Sequence, residues 1–148
     1  MISADPEISA LIPHRPPFLW VDRIVAYHDD TIVTEKTIPA DLDLFSGHYP
    51  GHPILPGVLL CEAVFQSGAL LLAKMQENET AGGDVRVPVV ARIGGARFKR
   101  SVYPGDTIVM TVKLTEMLSS AWFFAARLHV REKLALQIDF SCTLQKVS

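Results

Sequence analysis

The residues best suited to acid–base chemistry in this 148-residue chain are His48 and Glu62. His48 lies in a segment rich in proline and glycine, whereas Glu62 lies in a long apolar run. A carboxylate among uncharged neighbours is costly to ionise without a partner, so a functional role explains Glu62 better than a structural one. His48 could act as a general base on a rigid loop, or it could fix that loop through a hydrogen bond to a backbone carbonyl. The pair predicts a site for proton transfer.

The start of the apolar run adds groups that could bind a ligand. Pro56, Gly57 and Val58 are expected to open a helix, whose first N–H groups could stabilise a carbonyl oxygen that becomes anionic. Gly57 would let a ligand approach closely, and it would equally suit a tight turn. Gln66 follows Glu62 by one helical turn, so its amide could hold the carboxylate or a water molecule. We therefore expect substrate contacts at Gly57, Val58 and Gln66.

Two other histidines near these segments favour structural explanations. His52 follows His48 by four residues, a spacing that would suit a metal site on a helix, but Pro50 and Pro53 exclude that helix. No metal site is predicted. His14 precedes an arginine and two prolines, and we interpret it as part of a structural ion pair in preference to a residue that borders the site.

Four basic residues stand close together on a mildly acidic chain: Arg92, Arg97, Lys99 and Arg100. Such a cluster is compatible with a solvated strand face. It is equally compatible with an electrostatic docking patch for an acidic partner protein or for phosphate groups.

The elements that must position these residues follow from the hydrophobic pattern. A helix is predicted from residue 56 to about 76, with apolar residues on every face, so it must be surrounded by other elements. Strands are predicted over residues 18–27, 31–38, 85–98, 106–117, 121–131 and 134–145. Two strands, one apolar helix and a meander of four strands predict an α+β fold, in which an antiparallel sheet of about six strands wraps one long central helix. A curled sheet leaves exposed edges, so we expect at least a dimer.

Length and composition restrict the function classes. The length fits one domain over residues 1–148, and the formal net charge of −2 disfavours nucleic-acid binding. The two cysteines, Cys61 and Cys142, are far apart in sequence and are expected to be reduced thiols. The N-terminal residues lack the pattern of a secretory signal, and the apolar run contains Glu62, so a buried helix is favoured over a membrane span. We expect a cytoplasmic protein.

Three blocks of sequence resemble the short bacterial 3-hydroxyacyl-[acyl-carrier-protein] dehydratases of fatty-acid synthesis. They are LIPHR at 11–15 with PFL at 17–19 and VDR at 21–23, then GHYP at 47–50 through PGV at 56–58 and EA at 62–63, and finally RFKR at 97–100 with PGD at 104–106. The blocks occur in the order typical of that family and span roughly the first seven tenths of the chain.

The resemblance implies a hotdog fold and a hydro-lyase that converts a (3R)-3-hydroxyacyl thioester into a trans-2-enoyl thioester. It implies that His48 and Glu62 are the catalytic pair, contributed by opposite subunits of a homodimer, and that dimers assemble as a trimer of dimers. The expected partner is an acyl carrier protein with a phosphopantetheine arm, for which Arg97, Lys99 and Arg100 form the candidate docking patch. No cofactor is expected, because the thioester already acidifies C2.

Several positions depart from the family pattern. Val89 and Val90 stand where an aromatic pair is usual near the acyl tunnel, and Gly94 stands where aspartate is usual. These changes bear on acyl chain length and tunnel gating. Relatives that also isomerise the double bond have aspartate where this chain has Glu62, so isomerase activity is not implied. Two alternatives stay open: a hotdog acyl thioesterase and a non-catalytic acyl-binding subunit.

Overall fold

The computed structural model describes residues 3–77 and 86–146. The elements in chain order are helix α1 (Pro6–Leu11), strands β1 (Arg23–His28) and β2 (Thr31–Thr37), a 3-10 turn (Asp43–Ser46), helix α2 (Gly57–Gln76), and strands β3 (Arg86–Phe98), β4 (Thr107–Leu118), β5 (Ala121–Val130) and β6 (Lys133–Lys146). The predicted long helix and six strands are confirmed. The short helix α1 was not predicted.

The six strands form one antiparallel sheet in the order β1-β2-β4-β5-β6-β3. The expectation of a meander of the last four strands was wrong, since among those four only β4, β5 and β6 pair consecutively. β3 pairs with β6 and β2 pairs with β4, so the chain crosses from one edge of the sheet to the interior after β3. The hydrophobic pattern predicts each strand but carries no information on which strands become neighbours.

The first strand begins later than predicted. The strand is preceded by residues 18–21, where the backbone of Phe18 and Trp20 bonds to a helix side chain, and the Asp22 N–H makes the first bond to β2, at the Glu35 carbonyl. Gln66 of α2 accepts from the Trp20 N–H and donates to the Phe18 carbonyl. The N-terminal segment is thereby tied to the central helix.

Helix α2 packs against strands β2 to β6 and supplies much of the core. Residues Ala63, Val64 and those from Gln66 to Leu72 are buried. Gly68 allows close packing, because a Cβ at this position would lie 2.9 Å from the ring of Phe140. α2 is long and apolar enough to cross a membrane, but 56% of its most apolar window is buried inside the protein, as in a core helix.

Strand β3 forms one edge of the sheet and is open on its outer side. Within the described chain it pairs only with β6, and every residue from Ala91 to Arg100 is exposed. Ile93 and Phe98 are both 53% exposed despite their size. An apolar, unpaired edge strand is a surface on which another strand could pair.

Candidate active site

His48 is held by its own loop in one tautomer. Its Nδ1 lies 2.7 Å from the carbonyl oxygen of Ile54. Because a carbonyl can only accept, Nδ1 carries the proton in the neutral ring, and Nε2 keeps a free lone pair. The ring also makes an edge contact with Tyr49, whose φ of 53° places it in the left-handed region. The loop is anchored by the Leu55 N–H, which donates to the Val102 carbonyl. Neutral His48 therefore has the form of a general base.

Glu62 is held by Gln66, whose own orientation is fixed by the backbone. The Trp20 N–H must face the amide oxygen of Gln66, so Nε2 faces the opposite way. One hydrogen of Nε2 goes to the Phe18 carbonyl, and the other goes to Oε2 of Glu62 at 2.9 Å. Oε2 of Glu62 is thus an acceptor. Because a carbonyl oxygen accepts better than a hydroxyl oxygen, this contact favours Oε1 as the position of the proton when the carboxyl group is protonated.

Glu62 opens into a cavity of about 320 Å³. Its wall combines polar and apolar side chains. The lining residues are His14, Phe18, Glu62, Phe65, Gln66, Ala69, Pro88, Val89, Val90 and Cys142. A carboxyl group in a cavity with several apolar walls suits a ligand that has a polar reacting centre and an aliphatic tail. Val89 and Val90, which depart from the family pattern, lie in this wall.

His14 is a cavity residue that the sequence did not assign to the site. Its Nε2 lies 3.9 Å from Oε2 of Glu62, and its Nδ1 is buried without a hydrogen-bond partner. Arg15 is not paired with a carboxylate within the described chain, and it donates to the carbonyls of Ser9, Ile12 and His14. Both interpretations of His14 are compatible with this position, because its ring borders the cavity and lies within ion-pair distance of Glu62. Only the fold brings this histidine to the central helix.

Among the described residues, no side chain caps α2 at Pro56, and the first turn of the helix contains no acidic residue. A Cβ on Gly57 would lie 2.8 Å from the ring of Phe98, so this glycine makes room for that ring. Val58 is 74% exposed. The helix start thus lies at the protein surface, beside the edge strand.

Within the described ranges, the chain does not bring His48 and Glu62 into contact. No hydrogen bond or ion pair joins them there, and His48 is absent from the lining of the Glu62 cavity. Gln66 does contact Glu62. Gly57 and Val58 are the first two residues of α2, on the N-terminal side of Glu62. Arg97, Lys99 and Arg100 are all exposed at the end of β3 or just after it.

The thiol in the cavity wall is neutral at physiological pH. Burial raises the pKa of Cys142 to about 12, and burial also raises the pKa of Cys61. In the part of the chain that the structure describes, no three His, Cys, Asp or Glu side chains cluster so as to hold a metal ion.

Comparison with characterised proteins identifies relatives across nearly the whole chain. The FabA-like domain model matches residues 12–139. The 3-hydroxyacyl-[acyl-carrier-protein] dehydratase FabZ of Chloroflexus aggregans is 45% identical over 134 residues, which cover 90% of each chain. The protein of the same name from Paracidovorax citrulli is 37% identical over 143 residues, which cover 96% of this chain and 97% of the relative.

Solved structures share the fold at low sequence identity. A chain of the dehydratase heterocomplex ApeI:P from Xenorhabdus doucetiae superimposes with a TM-score of 0.78 at 13% identity, covering 93% of this chain and 90% of that one. A hypothetical thioesterase from Streptococcus pneumoniae, solved with coenzyme A, gives a TM-score of 0.63 at 10% identity, covering 84% and 85%. The predicted hotdog fold is confirmed, and the chain belongs to the FabA-like family, among relatives named as FabZ dehydratases.

Proposed function

We propose that this chain is a hydro-lyase of fatty-acid biosynthesis that dehydrates (3R)-3-hydroxyacyl-[acyl-carrier-protein] to the trans-2-enoyl thioester. The observation that carries the proposal is Glu62, held in one orientation by Gln66 in the wall of a cavity that Phe65, Val89 and Val90 also line. The reaction needs a proton donor at C3 and room for an aliphatic chain, and this cavity offers both. The dehydratase relatives, with up to 45% identity, support the same reaction.

His48 acts as the base in this proposal. The Ile54 carbonyl keeps its Nδ1 protonated, so the lone pair of Nε2 is free to take a proton from C2 of the thioester. The electrons of the C2–H bond move toward the thioester carbonyl, whose oxygen gains negative charge. The Gly57 N–H at the start of α2, with Val58 beside it, is the donor proposed to stabilise that oxygen.

Glu62 acts as the acid. Because Gln66 donates to Oε2, the acidic proton is favoured on Oε1, from which it passes to the C3 hydroxyl directly or through a water molecule. The C3–O bond breaks, water leaves, and the C2–C3 double bond forms. Proton exchange with solvent then restores neutral His48 and protonated Glu62. Nothing is oxidised or reduced in this sequence of steps.

A homodimer with shared sites, arranged as a trimer of dimers, is part of the proposal. His48 and Glu62 make no contact in one subunit, as a site built from two subunits would require. β3 offers an unpaired outer edge with exposed apolar residues, which a second copy could cover.

Carrier docking is assigned to the exposed basic residues at the end of β3. Reversing the charges of Arg97, Lys99 and Arg100 together should raise KM for a carrier-linked substrate at low salt, while KM for the same acyl group on a short pantetheine thiol should change little. Equal effects on both substrates would contradict this assignment.

An enzyme that acts on carrier-linked acyl groups is proposed to work in the cytoplasm.

The test of the reaction is incubation of the purified protein with 3-hydroxyacyl thioesters of several chain lengths, with mass spectrometry of all products. We expect enoyl thioester and no free thiol, and we expect His48→Ala and Glu62→Gln each to reduce turnover by about a hundredfold or more. Release of free thiol would contradict dehydration and indicate a thioesterase. Binding without turnover would indicate a non-catalytic acyl-binding subunit.

A further inference from the structure

The cavity contains a second group aimed at Glu62 that the reaction as described above does not use. His14 Nε2 lies 3.9 Å from Oε2 of Glu62, which is the oxygen that Gln66 also contacts. This distance is too long for a hydrogen bond but short enough that a small rotation of either side chain would make one. Contacts of this kind are often long in free enzymes and tighten when substrate binds.

The surroundings of His14 decide which of its nitrogens carries the proton. Nδ1 is buried and has no hydrogen-bond partner among the described residues, whichever nitrogen carries the proton. A proton on Nε2 lets the ring donate to Oε2 of Glu62, whereas a proton on Nδ1 would place the Nε2 lone pair against the carboxylate oxygen. Within the described chain, Glu62 is therefore the one hydrogen-bonding partner within reach of the His14 ring.

The backbone holds His14 where this contact needs it. The Arg15 guanidinium donates to the carbonyls of Ser9, Ile12 and His14 at 2.8–2.9 Å. Those bonds close the turn after α1 around the buried side chain of Ile12. An arginine that ties three carbonyls restricts the backbone at His14, so the point from which its ring extends is fixed before substrate binds.

We propose that His14 is a positioning residue for Glu62, and this inference rests on the dehydratase function proposed above. Nε2–H of His14 and the amide of Gln66 together hold Oε2, which leaves Oε1 as the oxygen that faces the reacting hydroxyl group. Without His14 the carboxyl group can rotate about its Cγ–Cδ bond, so Oε1 spends less time facing the C3 hydroxyl group. Substrate binding, which depends on the cavity wall, is little affected.

Two substitutions of His14 that differ only in reach test this proposal. In His14→Gln the side-chain amide extends to about the position of Nε2, whereas in His14→Asn it extends only to about that of Nδ1. We expect His14→Asn to reduce kcat by about tenfold or more with KM changed less than about twofold, and His14→Gln to keep kcat within about threefold of wild type. His28→Asn, at an exposed histidine of β1, is the matched control and should behave as wild type.

The two variants and the control are also compared by thermal melting and by crystal structures, so that folding and function are separated. His14→Asn should melt close to His14→Gln, and its Glu62 carboxylate should be rotated or should occupy several orientations. The inference would be overturned if His14→Asn kept the wild-type kcat. It would also be overturned if both variants lost kcat and melting temperature to the same extent. Absence of turnover in the wild-type protein would contradict the dehydratase proposal. In that case the crystal structures still test the role of His14, which is overturned if Glu62 has the same orientation in His14→Asn as in wild type.

Discussion

Gln66 is the residue on which the orientation of Glu62 depends most directly. Its amide oxygen accepts from the Trp20 N–H, and its two amide hydrogens go to the Phe18 carbonyl and to Glu62. A buried amide with all of these partners has one stable orientation. The same side chain therefore tethers the N-terminal segment and sets the free oxygen of the carboxyl group.

Gln66→Leu should impair both stability and turnover. The Trp20 N–H and Phe18 carbonyl lose their partner, and we expect a decrease of roughly 2 kcal/mol or more in the free energy of unfolding by urea. We also expect kcat to fall by about tenfold or more, because Glu62 loses its only direct hydrogen bond within the described chain. Gln137→Leu, at an exposed glutamine of β6, is the control for the loss of an amide. Unchanged turnover in Gln66→Leu would mean that Glu62 needs no support.

Cys142 should make the protein less stable in alkaline solution. Burial raises the pKa of this thiol from its ordinary 9.0 to about 12. Between these two values the unfolded chain loses the proton and the folded chain keeps it, so rising pH favours the unfolded chain. The thiol should thus remove about 1.4 kcal/mol from the unfolding free energy by roughly pH 10.

The measurement is urea unfolding at several pH values, in the presence of a reducing agent. We expect Cys142→Ala to lose less stability than wild type between neutral and alkaline pH, whatever its stability at neutral pH. Thr143→Ala, next to it on β6, should keep the wild-type slope. Parallel curves for Cys142→Ala and wild type would show that the thiol ionises freely in the folded protein.

At the scale of elements, the packing of α2 against the sheet depends on one glycine. Gly68 faces the ring of Phe140, which stacks on Phe124 with the ring centroids 4.8 Å apart and makes an edge contact with Phe65. Phe140 is therefore confined on both sides and cannot easily move aside. This close approach fixes the distance between the sheet and the helix that carries Glu62.

Gly68→Ala should destabilise the protein although alanine is the better helix former. The propensity gain is about 1 kcal/mol, whereas overpacking in a confined core costs about 1–3 kcal/mol. We expect a net loss of roughly 1 kcal/mol in the free energy of urea unfolding. Gly57→Ala is the comparison, because the Phe98 ring that it would meet is 53% exposed and can turn away. A Gly68→Ala protein more stable than wild type would mean that Phe140 does move.

At the scale of the whole molecule, we propose that the site is built from two chains. His48 is fixed by its loop and Glu62 by the helix, and neither element moves independently of the fold. If opposite subunits supply the two residues, a dimer of one His48→Ala chain and one Glu62→Gln chain contains one intact site and one site without either group. Each parent dimer contains none.

Refolding a mixture of the two inactive variants should therefore restore activity. Random pairing makes about half of the dimers mixed, each with one of two sites intact, so we expect about a quarter of the wild-type kcat per chain. A site within one subunit predicts no recovery at any mixing ratio. Refolding each variant alone controls for residual turnover, and native mass spectrometry checks that mixed oligomers formed.

The sequence was most informative where a residue's type conflicts with its neighbours. The two proposed catalytic residues were identified by the charge of Glu62 in an apolar run and by the prolines near His48. Both features can be recognised from the residues next to them in the sequence. Gln66 was also found locally, since helical spacing alone places it beside Glu62. His14 was assigned a structural role, because its approach to Glu62 depends on where residues 12–18 run relative to α2.

Element types were likewise determined locally, whereas neighbours were not. Hydrophobic periodicity predicted one helix and six strands with ends accurate to a few residues, apart from the late start of β1, because periodicity depends on which faces are buried. The position of β3 at the edge and the cavity that joins His14 to Glu62 depend on contacts between residues far apart in the chain. No local pattern encodes those contacts, so only the tertiary structure decided them.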